Sequence, residues 1–363
     1  MFQKIKKLRV LLLAFMVVCC TACSAGKEAM DGETGNADND VVMRDGAAEK
    51  PDEVSGYKVL KGKIRGVDSL AKPEIYFPSG SDYKKLKNET KEEDGIWEDK
   101  EENYLLIEPG RVMYATKEFY DTFESLLEDA KGFRDDLDEI LEQGSVWGIS
   151  KDKAVDTVQR IVEQNKISVK ETKAYSLTKD NLTKLSKLFM PDQEYAEYIK
   201  DPDNEPMKRV FAEQDEGWLV VMSVCAGENA LYPKEYEYGE QCYPGSQIRA
   251  IVNKNGLVTF QADGIYDVDT DDSEKIKVLS SGQAQEILNQ KFRNKISSHK
   301  PECKEMKESF LAVNDGKGST VKFIPVSIFQ IEQKHDDDKG DQKRQFTEQR
   351  VLILDRENGK WIE

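Results

Sequence analysis

The sequence predicts an α+β fold: antiparallel sheets, each packed by a helix, forming two related units with a long helix in the N-terminal one. Three observations predict it. Apolar residues recur at three and four over several stretches, the spacing of a helix with one buried face, and alternate over others, the spacing of a half-buried strand. Asn253-Lys254-Asn255-Gly256 joins two alternating runs, and Asn-Gly in that setting is a strong hairpin signal. A Ser-capped helix leading into strands occurs twice, from Ser150 and from Ser280. Asn165-Lys166-Ile167-Ser168 closes the first helix and Asn294-Lys295-Ile296-Ser297 the second, a faint internal repeat.

The chain opens with Lys4, Lys6, Lys7 and Arg9, and no acid precedes Glu28. An apolar run, Val10 to Cys20, follows. A charged start and a short apolar stretch make a secretory signal. The run is well below the ~20 apolar residues that a membrane-spanning helix needs. It ends at Thr21-Ala22-Cys23-Ser24, which resembles the lipobox of bacterial lipoproteins, where small residues precede a cysteine that receives a diacylglycerol. Cys20 departs from that pattern, which prefers Leu. The resemblance implies removal of residues 1–22 and lipidation of Cys23, with the acyl chains holding the protein on the outer face of the cell membrane. An ordinary signal cut near Ala22 would release a free secreted protein instead. Residues 23–56 are rich in Gly, Ala, Asp and Glu, with almost no branched side chain except Val41, Val42 and Val54. Such a segment buries too little apolar surface to offset its chain entropy and is expected to be a disordered tether.

The formal charge is -16, and removal of a signal with four basic and no acidic residues takes it to -20. So acidic a chain is a poor nucleic-acid ligand, because phosphate neutralisation drives that affinity. The remaining length suffices for one large or two ordinary domains, expected as an N-terminal unit over 57–175 and a C-terminal unit over 176–363. Val59–Ile64 reads as a strand, Ile75–Phe77 as a short apolar patch and Tyr83–Asn103 as a charged surface excursion. Tyr104–Ile107 and Val112–Tyr114 read as strands around Pro109-Gly110. From Thr116, Phe119, Phe123, Leu126, Leu127, Ala130, Phe133, Leu137, Ile140 and Leu141 carry helical spacing, which predicts one long helix ending at Gln143-Gly144. Helices are expected after Ser150 and over Thr178–Phe189, and a polar insert over 191–216. Strands follow at Trp218–Val224, Gln247–Val252, Leu257–Ala262 and Ile276–Leu279. Ser280 with Gln283 makes a capping box for a further helix. The last strands are Phe310–Val313, Val321–Ile331, Arg350–Leu354 and Trp361-Ile362, with Pro325 implying an edge or a bulge.

Ile248-Arg249-Ala250-Ile251-Val252, Asn255-Gly256-Leu257-Val258-Thr259-Phe260, Val278-Leu279-Ser280 and then Ala284 with Ile287-Leu288 resemble the repeating unit of the YycH/YycI regulatory proteins and PepSY-like modules. Phe323 to Phe329 with Val351 to Asp355 is similar to the C-terminal strands of uncharacterised Gram-positive lipoproteins. Ser327 stands where many of those have Trp, and Asp355-Arg356-Glu357-Asn358-Gly359 replaces a tighter Asp-Gly turn. The resemblance covers about residues 150–363. It implies a non-enzymatic, extracytoplasmic role in modulating a partner protein, and it carries over no catalytic residue.

Recognisable chemistry is sparse. His299 and His335 belong to no ligand spacing, and His335 lies in a charged run, Lys334 to Lys339, expected as a solvated hairpin loop. Gly144-Ser145-Val146-Trp147-Gly148 lacks the centred Ser of a nucleophile elbow. Asp267, Asp269, Asp271 and Asp272 have calcium-like spacing, but Asp272 and Val278 stand where an EF-hand loop needs Gly and Glu. No metal and no cofactor are expected. The loop from Cys225 to Cys242 holds Tyr232, Tyr236 and Tyr238, with Tyr243 just beyond. These tyrosines form either a contact surface for a peptide or glycan or an anchor packed on the adjacent sheet. Cys225 and Cys242 could close the loop as a disulfide outside the membrane, with Cys303 left over. The resulting expectation is a surface-anchored binding or regulatory module with an envelope protein as partner. The rivals are a solute-binding lipoprotein for a peptide or sugar and an unrecognised hydrolase.

Overall fold

The computed structural model describes residues 41–43, 57–70, 72–86, 95–129, 132–133, 137–202, 204, 206–269, 275–293, 299–316, 318–337 and 344–362. The expected signal peptide, Cys23 and all of the tether but 41–43 lie outside the described residues, as do Asp271, Asp272 and 294–297.

Strand β1 (Leu60–Ile64) is followed by a meander of β2 (Tyr83–Leu86), β3 (Gly95–Asp99), β4 (Tyr104–Glu108) and β5 (Arg111–Ala115). Helix α1 (Lys151–Gln164) leads into β6 (Val169–Leu177), and α2 (Lys179–Phe189) and α3 (Asp192–Tyr198) intervene before β7 (Gly217–Ala226). The hairpin of β8 (Tyr236–Tyr238) and β9 (Gln241–Tyr243) separates β7 from β10 (Gln247–Asn253) and β11 (Gly256–Ala262). Then come β12 (Tyr266–Asp269), α4 (Ser281–Arg293), β13 (Glu302–Asn314), β14 (Thr320–Asp337), β15 (Arg344–Asp355) and β16 (Trp361–Ile362).

The fold is α+β, with two antiparallel sheets dominating. The nine-stranded sheet runs β6-β7-β10-β11-β5-β4-β3-β2, with Asn229–Ala230 added on β7. The seven-stranded sheet runs from Val42–Met43 through β13-β14-β15-β16, with β1 paired to both β14 and β12. The repeat in the sequence has a structural counterpart: α1 precedes the meander β6-β7-β10-β11, and α4 precedes the meander β13-β14-β15-β16. The division expected at residue 175 falls inside β6, and the nine-stranded sheet draws strands from both sides of it.

The caps read from the sequence start the helices. The Ser150 hydroxyl accepts from Lys153 N at 3.3 Å, and the Thr178 hydroxyl from Asn181 N at 3.2 Å. At α4 the capping box closes both ways: Gln283 N donates to the Ser280 hydroxyl, and Ser280 N to Gln283 Oε1. Helix α1 buries Ala154, Val158, Ile161 and Val162 against one face of the nine-stranded sheet, beside Trp218, Val220, Ala250 and Phe260. The alternate strand residues Tyr175, Leu177, Leu219 and Ile251 face a second cluster with α2. With both faces covered, β7 is nearly continuously buried.

Residues 116–141 do not form one helix. A π-turn at Phe119–Phe123 runs into a short helix, Glu124–Leu127; Glu128–Asp129 pairs with Gly132–Phe133, and a last helical turn spans Leu137–Ile140. In a straight helix Phe123 and Leu141 would stand about 27 Å apart. Here both join one cluster with Leu126, Leu127 and Leu137, so burial favours folding back, and Gly132 lowers the cost of breaking the helix. The charged excursion expected over 83–103 contains β2 and β3, with Trp97 buried under the Lys85 ammonium, 5.4 Å from its ring centroid. The polar insert contains α3.

Pro325 lies in a central strand, neither at an edge nor in a bulge. Strand β14 pairs with β13 on one side from Val321 to Glu332, and on the other with β1 up to Phe323 and with β15 from Val326. Arg356 N donates to Pro325 O at 3.0 Å, so Pro325 turns its polar side toward this change of partner. Its missing N–H is at the junction between two strands, where no ladder bond is lost. The run from Lys334 to Asp337 is strand rather than loop: it pairs with Arg344 to Thr347.

Candidate functional site

A cleft with a volume of about 300 Å³ lies where the two sheets meet. It is lined by Arg65, by Ile167 and Ser168 after α1, by Val224, Cys225 and Gly227 at the end of β7, and by Ile265 to Val268.

Arg65 organises it. The residue follows β1, where Arg65 N donates to Ile265 O and Gly110 N to Arg65 O. Its side chain is buried. Nε donates to Asp267 Oδ1 at 2.8 Å, Nη1 to Asn165 O at 2.5 Å, and Nη2 to Lys166 O at 3.2 Å and Tyr266 O at 3.4 Å. Two of these acceptors are the carbonyls that end α1, where a cation also meets the negative end of the helix dipole. Lys166 sits at φ 52, and Lys166 N and Ile167 N return to Glu163 O and Val162 O. That is a Schellman ending with Lys in the left-handed position usually given to Gly. Arg65 thus ties the end of α1 to β12. With four acceptors around it, the guanidinium is a structural clamp more than an open anion site.

Cys225 is 8% exposed at the cleft wall, and burial pushes its thiol up from its ordinary value. Cys303 is buried beneath α4 and is pushed up to about 11 for the same reason. Cys242 is exposed on β9 beside Glu235. Cys225 and Cys242 are both free thiols in the structure, without the disulfide that the sequence leaves possible. The reason is the docking of β8 and β9, which commits that hairpin to the seven-stranded sheet while Cys225 stays in β7. Iodoacetamide should therefore alkylate Cys242 first in the native protein, and Cys225 and Cys303 only on unfolding, as followed by peptide mass spectrometry. Thiolate is the reactive form, and both buried thiols hold less of it. Equal rates at all three would show that Cys225 and Cys303 are open to solvent.

The loop tyrosines act as an anchor. Tyr232 and Tyr236 are buried against Leu311, Val313, Ile324, Val326 and Ile353, on the seven-stranded sheet. The Tyr236 hydroxyl donates to Ala312 O at 2.7 Å, and its ring stacks on Tyr243 with centroids 5.4 Å apart. The Tyr238 hydroxyl donates to Asp355 Oδ2 at 3.3 Å. Buried rings offer no contact surface, and Tyr238 and Tyr243 are themselves half-buried.

Among the described residues no group of three His, Cys, Asp or Glu is placed to hold a metal ion. Asp267 and Asp269 lie on β12 opposite Lys63 and Lys61. His335 approaches Glu348 at 3.0 Å and stacks on Phe346, centroids 5.1 Å apart, outside the cleft lining. Glu118 is raised mainly by burial, and its hydrogen-bond partner is Asn253.

Two features escaped the sequence reading. Arg65 gave no signal beyond a basic residue between a strand and Gly66. The other is an exposed strand. Beyond Glu332, β14 continues with β15 as a two-stranded ribbon among the described residues. Among the described residues the outer edge of β15 pairs only at Ile353 and Leu354. Phe346 and Val351 on it are 53% and 43% exposed.

The fold has a solved counterpart. It is similar to an uncharacterized protein from Eubacterium rectale, with a TM-score of 0.58 and 12% identity over 85% of this chain and 86% of that one. At that identity the likeness shows the fold alone. No protein-family model matches the chain, and no curated protein does.

Proposed function

We propose that the protein is an extracytoplasmic, lipid-anchored binding module that engages another envelope protein and performs no catalysis itself. The N-terminal pattern ending at Cys23 supports the address. The observation that carries the binding reading is the edge of β15, with exposed Phe346 and Val351 and no paired strand over residues 344–352 among those described. Unpaired main-chain groups beside exposed apolar side chains suit a partner that adds a strand. The cleft supports a solute-binding role less well. Its volume is at the low end for small-molecule sites, and its buried cation is already engaged on four sides.

The test is co-purification from detergent-solubilised envelopes, comparing wild type with Phe346→Asp/Val351→Asp. One envelope protein recovered with wild type and at least about tenfold depleted with the variant, at unchanged melting temperature, supports the reading. Equal recovery with both, or none with either, overturns it.

A further inference from the structure

A piece of the expected tether is docked on the protein. Val42–Met43 forms the outermost strand of the seven-stranded sheet, parallel to β13, with Val42 opposite Glu302 and Met43 opposite Cys303. Val42 N donates to Pro301 O at 2.9 Å, and Val41 N to Asn289 Oδ1 at 3.1 Å, from α4. The side chains alternate as a strand requires. Val41 is 6% exposed among Ala284, Leu288, Phe292 and Cys303, and Met43 packs against the same cluster, whereas Val42 points out at 50%.

This arrangement is a groove with two parts. Its floor is apolar, from α4 and the end of β13. Its rim offers main-chain recognition, from Pro301 O and the Asn289 amide. Both parts read an extended backbone carrying aliphatic residues at alternate positions. The segment that fills it is short. Three residues supply few ladder bonds and one deeply buried side chain, so docking gains little beyond the ordering of the chain it requires. What favours it is connection to the same chain, which gives the segment a high effective concentration. A segment of the same chemistry on another protein would compete on equal terms per contact.

We propose that the groove between α4 and the edge of β13 is a strand-docking site for an extended aliphatic segment of a partner protein, and that Val41–Met43 occupies it in cis until displaced. This site is separate from the β15 edge and stands whether or not that edge binds a partner. A side chain larger than Val at the Val41 position would have to push into the buried cluster of Ala284, Leu288, Phe292 and Cys303. The site also selects against proline there, because the N–H bonded to Asn289 would be lost.

The probe is a fluorescent synthetic peptide with the sequence of residues 38–46, titrated by anisotropy. The protein is the chain from residue 24, which retains every described residue. Wild type is compared with Val41→Ser/Met43→Ser, which empties the groove in cis, and with the same variant carrying Asn289→Leu. The emptied variant should bind the peptide at least about tenfold more tightly than wild type, since the cis competitor is gone. Asn289→Leu should remove most of that gain, and a peptide with Ser in place of both inward residues should not bind. Thermal melts establish that each variant is folded. No binding by the folded, emptied variant, or equal binding of the Ser-substituted peptide, overturns the proposal. Failure of the envelope co-purification would leave this result untouched, so the two proposals fail separately.

Discussion

Raising the pH from about 10 to about 12 should unfold the protein cooperatively. Tyr76, Tyr114 and Tyr236 are 3%, 0% and 5% exposed. Burial pushes all three hydroxyls above their usual 10.0, and it pushes the Tyr266 hydroxyl up to about 12. The sign follows from which state ionises first. The unfolded chain releases these protons from about pH 10, while the folded chain holds them. Stability is therefore complete below pH 10 and falls as pH rises through the interval up to the folded values. Each such tyrosine removes about 1.4 kcal/mol per pH unit, and the three most buried roughly 4 kcal/mol per unit together. A typical stability of about 5–15 kcal/mol is exhausted within a few units. The part of the phenolate absorbance that comes from these buried rings should appear together with the loss of far-ultraviolet circular dichroism. Complete tyrosine titration with circular dichroism unchanged would show that the buried rings are accessible in the folded state.

Arg65→Ala should cost about 2–4 kcal/mol of stability. The loss does not come chiefly from the ion pair, because the Asp267 side chain is 62% exposed and water screens it. It comes from Asn165 O and Lys166 O, which would be left at the end of α1 without their donor. Asp267→Asn is the control, expected to cost under about 1 kcal/mol. Arg65→Lys keeps the charge but cannot fork to two carbonyls and should recover less than half of the loss. Urea midpoints measure all three. Equal effects of Arg65→Ala and Asp267→Asn would place the energy in the ion pair and refute the clamp.

Local signals in the sequence translated well into structure. Ser150, Thr178 and Ser280 cap helices because each hydroxyl serves an amide three residues on, a rule that needs no tertiary context. Asn253 to Gly256 makes its hairpin for a similar reason, with Asn255 N on Asn253 Oδ1 and Gly256 at φ 121. What escaped depends on distant partners. The stripe from Phe119 to Leu141 has helical spacing, yet packing against α2 and the sheet folds it back. The burial of Arg65 is decided by acceptors about 100 and about 200 residues away in sequence. The loop tyrosines lie on a sheet whose strands come later in the chain, so their burial could not be read locally. Val41 and Val42 did stand out as aliphatic residues in a polar tract, the one visible trace of the docked segment.

Docking at Val41 also sets a distance. With Cys23 as the proposed anchor, the chain between bilayer and body counts 34 residues to Tyr57 but only 18 to Val41. At roughly 3.5 Å per extended residue, those lengths allow a maximum reach of about 120 Å and about 60 Å. Displacing three residues from the groove would double the height at which the sheets can work above the membrane. For a protein anchored in this way, that height would set which partners fall within range.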